Sequence, residues 1–592
     1  MGLQRAARIK GLARSARLFR RAGPLLEAMA RLLAEYALYL PGERVKIVAE
    51  SERGGRLTLK RGGEAVGSWS IGEGSHLVEV DAGEPGLYEA VLEPEGLSAH
   101  FAVLEKPETE PLLAVVFHNH QAPNYSPDGA VREPWAYKHV WEDEFQPYCE
   151  GGAYRVQAKL LAKWGLAWNA NLSPSLLKQW AELLERGAVL NSDGVYVSVG
   201  RESPLAERVA ETLEAFRRLA RGPLEVLTSF YSHPLAGYIA EVFGWLDLLA
   251  EELEVGVRVT EQVMGVEPLG VWLPEMSFSM KLVPLLAERG LRYTVLDAVS
   301  HFTGAVGDKG GIYEPYALGD LAVFFRHTGL SDLWSFKYSG VRSREEAEAG
   351  ARDLALRLVL EAYSNRARPL TVALDGENWM ILPSPKPATA LLLDELLGQL
   401  KAAEARGLVR LVKLSELLDR VEPRRLASVP PRSWRGGYEK WVSELAGVQE
   451  RIWANVVEAY EAYKALEASV GCGEEEKLAL MNAVNSDHIW AEFADESFSR
   501  EWALALRRKL ENVLSSIKLE GFAGGKLRLR NALGRAVKVL VREDGRLQEV
   551  VLPPGAAEIE VRGSVVEIVV RGWRREFAVC KPIVSGRGAL SI

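Results

Sequence analysis

Apolar and polar positions change rhythm several times along the chain, and each change marks a different kind of element. Residues 43–105 alternate: Val45-Lys46-Ile47-Val48, Leu57-Thr58-Leu59, Leu77-Val78-Glu79-Val80 and Tyr88-Glu89-Ala90-Val91, punctuated by Gly pairs and Glu-Pro steps. Period-two alternation with such breaks predicts a small β-sandwich. From residue 112 the runs become short and continuous: Leu112–Phe117, Leu166–Asn169, Leu224–Leu227, Gly270–Leu273, Tyr293–Leu296, Leu321–Phe325, Thr371–Leu374 and Leu408–Val412, with helical stretches between them. Continuous apolar runs suit strands covered on both faces, and their repetition with helices suits a parallel sheet closed into a barrel.

Residues 434–518 read as helical and carry Trp441, Trp453, Trp490 and Trp502; residues 526–592 return to β alternation. The expected architecture is α/β: an incomplete (β/α)7 barrel followed by a helical domain, with small β domains at both ends. The boundaries predicted are a basic helical extension over 1–42, a β-sandwich over 43–108, the barrel over 109–430, a helical domain over 431–520 and a β domain over 521–592. The basic start (Arg5, Arg8, Lys10, Arg14, Arg17, Arg20, Arg21) resembles a signal-peptide n-region, but Glu27, Arg31 and Glu35 interrupt the apolar stretch after it. An amphipathic helix and a cytoplasmic protein are the expectation.

Polar residues fall in a pattern that gives the barrel chemistry. After successive runs come His118 and His120, Asn169 and Asn171, Ser229 and His233, Glu275, Asp297, Arg326 and His327, and Asp375. Barrel active sites lie at the C-terminal strand ends. Glu275 closes Leu-Gly-Val-Trp-Leu-Pro-Glu and Asp375 closes Leu-Thr-Val-Ala-Leu-Asp. Two carboxylates at one rim, beside Trp272 and Trp379, are the equipment for cleaving a glycosidic bond. Taken singly, each acid also fits a helix N-cap. The His118-Asn-His120 pair fits either metal ligation or hydrogen bonding to sugar hydroxyls, with Gln121 and Tyr125 assisting. Asp487 and Trp490 share a helix face, as would a capping acid and a core tryptophan.

Composition narrows the classes. The 592 residues require several domains. A net charge of −8, from 72 basic and 80 acidic residues, argues against a nucleic-acid partner, which would want a basic patch or stripe. Three distant cysteines, Cys149, Cys472 and Cys580, give no metal knuckle or disulfide framework. No apolar run is long enough to span a bilayer. No phosphate loop precedes a helix, so no nucleotide cofactor is expected, and neither is a metal. Sparse Asn, Gln, Met and Cys beside abundant Arg and Glu lean towards a thermophile.

Five ordered segments resemble glycoside hydrolase family 57, the α-glucan-active family: His118–Pro123, Thr228–His233, Gly270–Glu275, Asp375–Asn378 and Ser486–Trp490. The resemblance spans roughly residues 112–520. It implies Glu275 as nucleophile and Asp375 as general acid/base, without a cofactor. It places His118, His120, His233, Asp487 and Trp490 along the sugar subsites; Gln121, Tyr125, Trp272, Arg326, His327, Glu377 and Trp379, read from their places beside these motifs, complete the expected substrate-binding set. Ala122 within the first motif, and Asn378 where the glucanotransferases carry Lys, resemble the archaeal amylase/pullulanase branch. The expected activity is retaining hydrolysis of α-1,4 links, with α-1,6 links beside them, in starch-like glucans, pullulan and maltooligosaccharides. The rivals are a 4-α-glucanotransferase, a metal-dependent deacetylase or mannosidase using His118 and His120, and a catalytically dead glucan binder.

Overall fold

The computed structural model describes residues 30–578 except 82, 193, 366–367, 544–545, 563–564 and 572. Most of the expected N-terminal helix falls on residues 1–29 and lies outside the described residues. Its last part is not helical: Arg31–Ala34 and Leu38–Tyr39 are strands. The ladder of Arg31–Ala34 with Ile47–Glu50 claims those backbone groups, and Leu32, Leu33 and Ala34 are buried in succession, overriding the helical pattern.

The chain forms two compact units, Met1–Glu105 and Lys106–Ile592. In the first, a three-stranded and a five-stranded sheet enclose one core. Alternate residues of Arg44–Ser51 (Val45, Ile47, Ala49) are buried, as period-two alternation dictates.

The second unit holds the barrel. Its parallel strands are β1 (Leu112–Asn119), β2 (Trp168–Leu172), β3 (Leu224–Ser229), β4 (Gly270–Trp272), β5 (Tyr293–Asp297), β6 (Leu321–Arg326) and β7 (Leu370–Asp375). Their order in space is β6-β5-β4-β3-β2-β1-β7. β1, β2, β3, β5 and β6 are buried at every residue, and β7 at every residue but Asp375. The gap between β6 and β7 is bridged by a backbone hydrogen bond from His327 N to Thr371 O (2.8 Å) and by Arg326 Nη1 donating to Ala373 O (3.1 Å). The barrel is therefore incomplete and seven-stranded. Of the eighth apolar run only Arg410–Leu411 is a strand, and it pairs with the first residues of β1, at the end away from the rim.

Helices α1 (Ala153–Trp164), α2 (Pro174–Arg186), α3 (Pro204–Ala220), α4 (Leu246–Met264), α5 (Leu282–Glu288), α6 (Arg344–Ser364) and α7 (Pro387–Ala405) accompany the strands. Serine caps followed by Pro start α2 and α3: Ser173 and Ser203 each accept a backbone N–H from the first turn. Three longer helices come after the barrel: α8 (Ala446–Val470), α9 (Glu474–Ala483) and α10 (Glu496–Ser516). Two small antiparallel sheets over residues 517–578 complete the unit. A continuous apolar core runs from Leu112 to Val570, so the expected boundaries at 430/431 and 520/521 fall inside one packed body. Among the described residues no helix is long and apolar enough to cross a membrane. Cys149 and Cys472 are free thiols; Cys580 lies outside the described residues.

Candidate active site

Strand register builds the rim. Asp375 on β7 stands level with His118 on β1, and His118 with Asn171 on β2, so three polar side chains leave the sheet in one row. Gly376 follows Asp375 because only hydrogen fits there: a Cβ would lie 2.3 Å from Asn119 Oδ1. Three residues past β4, Glu275 and then Met276 adopt left-handed backbone conformations (φ 56° and 47°). Non-glycine residues held there carry about 1–3 kcal/mol of strain each and persist only where surrounding bonds over-determine them. Those bonds are present. Met276 N donates to Leu273 O (2.8 Å), Ser277 N to Pro274 O (2.9 Å) and Trp434 N to Glu275 O (3.0 Å).

The helical layer closes the site from the opposite side. His120 Nε2 bonds Asp487 Oδ2 (2.8 Å), His233 Nδ1 bonds Ser486 Oγ (2.9 Å), and His488 Nε2 bonds Asn124 Oδ1 (3.1 Å). Asp487 thus reaches the barrel histidines from outside the barrel. His118 Nδ1 bonds Asn171 Oδ1 (2.8 Å), which leaves its Nε2 facing His233 Nε2 at 3.2 Å.

Burial governs the charges. It pushes Glu275 up to about 8; the negative charges of Asp375 and Asp487 add to this, while Trp434's hydrogen bond and Arg435 act against it. Asp375 is also raised. Although the Asp375 side chain meets solvent, desolvation by the protein packed around the cleft leads, Asp487 adds, and Asn378, Arg326 and His120 oppose. The leading cause is thus desolvation rather than the charge of Glu275. Glu377, buried and accepting His120 N–H (3.0 Å), is pushed well above the carboxylate range by burial and by Asp375. Burial would raise Asp487 too, but His120, His233 and His488 hold it below its ordinary value. His118 falls to about 3, through burial first and His120 second, and is neutral at physiological pH.

Ring nitrogens of His118, His120 and His233 all lie within 4.8 Å of one another, so the structure supplies the third histidine that sequence spacing did not. Their geometry does not converge on an ion. The rings are nearly parallel, and His120 stacks face to face on His233 with centroids 3.9 Å apart. Imidazole lone pairs lie in the ring plane, so two stacked rings do not point their nitrogens at one ion. The arrangement is a hydrogen-bonded stack anchored at Asn171, Ser486 and Asp487.

Other sequence-predicted residues are spent differently. Gln121 donates to Tyr154 Oη (3.0 Å) and Tyr125 to Glu182 Oε2 (2.7 Å). Arg326 pairs with buried Asp297 (2.7 Å) and braces β7, which accounts for both charges. His327 caps the helix Thr328–Asp332 through Leu330 N (3.2 Å) and makes no contact with the stack. Trp272 stacks on His118 (4.7 Å), and Trp379, 3% exposed, wedges edge-on against Trp334; neither offers a free ring face for a sugar. Trp490 is half-buried, edge-on to Trp441, with Arg435 and Lys440 over its ring.

Sequence reasoning missed Trp434. Its Nε1 donates to Glu275 Oε2 at 2.8 Å. It belongs to Ser433-Trp-Arg-Gly-Gly437, a turn-like run with no apolar period. The only signal was a large aromatic inside a glycine-rich loop, where no core calls for one.

A seven-stranded parallel barrel with its polar groups at the C-terminal strand ends is the architecture of a barrel enzyme. The family model for glycosyl hydrolase family 57 matches residues 114–430, more than half of the chain, and the chain belongs to that family; it is a glycoside hydrolase. Among solved structures it is similar to a branching enzyme of the same family from the hyperthermophilic archaeon Thermococcus kodakaraensis (16% identity, TM-score 0.50, covering 69% of this chain and 90% of that one). It is also similar to an α-amylase from Thermotoga maritima (14%, 0.49, 69% and 94%) and a 4-α-glucanotransferase from Thermococcus litoralis (17%, 0.47, 75% and 65%). At such identities the likeness concerns the fold. No curated protein sequence matches the chain. Trp434, Asp487 and Trp490 lie beyond the matched residues.

Proposed function

We propose that this glycoside hydrolase acts on α-glucans by double displacement, with Glu275 as nucleophile and Asp375 as general acid/base. The observation that carries the reading is the pair of acids at the C-terminal ends of β4 and β7, Glu275 just past one strand and Asp375 closing the other, both raised by desolvation and Asp375 meeting solvent. Asp375 gives its proton to the glycosidic oxygen as a Glu275 carboxylate oxygen bonds the anomeric carbon and the aglycone leaves. Asp375, now ionised, takes a proton from water; that water attacks the anomeric carbon, the sugar leaves with retained configuration, and Glu275 is regenerated. The productive form carries one proton, on Asp375, so Glu275 must ionise against the burial that raises it, helped by the Trp434 hydrogen bond and Arg435.

His120 Nδ1 and Trp272 Nε1, on the residues flanking His118, are buried without a protein hydrogen-bond partner. Such groups are costly unless a ligand satisfies them, and sugar hydroxyls have the required chemistry.

Through the resemblance to the amylase/pullulanase branch that Asn378 carries, hydrolysis of α-1,4 links is the reading, with α-1,6 links as a further activity. Asn378 Nδ2 donates to Asp375 Oδ2 (3.1 Å), as a neutral amide. The lysine of the glucanotransferases at this position would set a cation beside Asp375 and favour its ionised form. Incubation with maltotriose is the test: glucose and maltose as main products fit the hydrolase. A ladder of longer maltooligosaccharides with little gain in reducing ends would assign a 4-α-glucanotransferase instead, and intact pullulan would remove the α-1,6 activity.

A further inference from the structure

The segment Arg432–Tyr438 reaches the nucleophile from outside the barrel and is tied to its surroundings at every turn. Phe278 N donates to Arg432 O (3.0 Å), and His301 Nε2 bonds the same oxygen (3.0 Å). Ser300 Oγ donates to Trp434 O (2.5 Å), Ser433 Oγ bonds Gly437 O, and the Ser277 and Tyr438 hydroxyls meet at 3.0 Å. Residues from both β4's and β5's C-terminal loops therefore hold the segment. It holds Glu275 in return, twice over: Trp434 N donates to the Glu275 carbonyl (3.0 Å) and Trp434 Nε1 to the Glu275 carboxylate Oε2 (2.8 Å). Arg435 lies over the Trp434 ring at 5.3 Å and Arg326 at 5.9 Å, so two guanidinium groups contact the indole.

We propose that Trp434 is the positioning residue of the nucleophile: its indole N–H restrains Oε2 and leaves Oε1 as the oxygen that attacks the anomeric carbon. This rests on the assignment of Glu275 above. An unrestrained carboxylate rotates about its terminal torsion, which is broad and roughly two-fold. A hydrogen bond to one oxygen selects the rotamer before substrate arrives, the kind of preorganisation that keeps reacting atoms aligned. The same bond favours the charged carboxylate, as does Arg435, against the negative charges of Asp375 and Asp487 that also face it. The backbone bond from Trp434 N survives any change of side chain, so the loop and the left-handed turn remain when the indole is replaced.

The test compares Trp434→Phe, Trp434→His and Glu275→Gln on 4-nitrophenyl α-maltoside, whose good leaving group lessens the demand on Asp375. Phenylalanine keeps an aromatic face for the two arginines and removes only the N–H. Expected for Trp434→Phe is a fall in kcat of about 10- to 100-fold, the loss of one hydrogen bond to a charged group, with KM little changed. The acid limb of kcat/KM should move to higher pH, because the bond that favoured the carboxylate is gone. Trp434→His, with a ring N–H within reach of the same oxygen, should recover part of both. An unchanged pH limb, or a lowered melting temperature with normal kcat, overturns the positioning role while Glu275→Gln remains dead. An active Glu275→Gln instead overturns the assignment of the nucleophile, and the two failures are told apart.

Discussion

The ends of β4 and β7 present the same chemical group in opposite ways. At β4 the strand is three residues long, and Glu275 follows Leu273 and Pro274 in a left-handed turn gripped by Trp434 through main chain and side chain. At β7 the strand is six residues long, Asp375 is its regular last residue, exposed to water, and its one side-chain partner is Asn378 (3.1 Å). The first carboxyl is immobilised; the second is left free to exchange protons. A nucleophile must meet one carbon along one line, whereas an acid/base must change protonation state twice per turnover, so the two roles call for opposite surroundings.

The largest effect that sharpens this contrast is in catalysis. Glu275→Gln should lower turnover by several orders of magnitude with the fold intact, because the proposed double displacement has no other group to form the covalent intermediate. Activity within about tenfold of wild type would falsify the assignment. Asp375→Asn should lose as much on starch but far less on an activated aryl glycoside, and added azide should restore turnover, since Asp375 sits where solvent reaches. If azide rescues neither variant, the open and closed ends are not distinguished as the structure implies.

Stability against pH gives the next effect. Glu275's pKa in the fold, about 8, lies above its ordinary 4.5, so its neutral form favours the folded state. That contribution is present below about pH 4.5 and is lost as pH rises through about 8. Glu275→Gln removes the ionisation. Its melting temperature relative to wild type should therefore climb between pH 5 and 8, by an amount of order a few kcal/mol in stability. A constant difference across that range would mean that Glu275 titrates normally.

The same contrast explains what the sequence revealed. β1, β3, β4 and β7 announced themselves because buried strands are continuous apolar runs, and the residue that ends such a run must emerge at the rim; His118, Glu275 and Asp375 follow from that rule alone. Trp434 emerges from a loop whose path is set by tertiary hydrogen bonds to Ser300, His301 and Phe278, and no period records those. Ring-face stacking on Trp272 and Trp379 was expected for a related reason, since a tryptophan beside a rim acid looks the same in sequence whether its face meets the cleft or, as here, is buried against the protein. The β-sandwich alternation at 44–51 was legible, whereas the strands at 31–39 were hidden by charges that the ladder carries at its edge.

Trp490 tests the wall that the helical layer adds to the β4 side. It stands edge-on to Trp441 at 4.9 Å, and Arg435, which favours the Glu275 carboxylate, lies over its ring at 5.9 Å. Trp490→Ala should weaken substrate binding by about 1–3 kcal/mol if sugar uses the remaining face. Unchanged KM with a lowered melting temperature would make it a packing residue and leave the wall to Asp487.

The smallest expected effect is none. If both carboxyls do the chemistry, the His118–His120–His233 stack bonded to Asp487 has no need of an ion. Its nitrogens are close enough for one, within 4.8 Å, but closeness is not ligation. Divalent zinc takes imidazole nitrogens at about 2.0–2.1 Å with each lone pair pointing at the metal. Here His120 and His233 lie face over face at 3.9 Å, His120 Nε2 is engaged by Asp487 at 2.8 Å, and His118 Nε2 faces His233 Nε2 at 3.2 Å. To bind one ion, at least one ring must swing out of the stack and break its bond to Ser486 or Asp487. Enzyme stripped with EDTA should keep its kcat, and added zinc should leave it unchanged or lower it by forcing that rearrangement. Turnover that stops on chelation and returns with zinc would overturn the two-carboxylate mechanism and make the histidine stack, not the β4 and β7 ends, the centre of the chemistry.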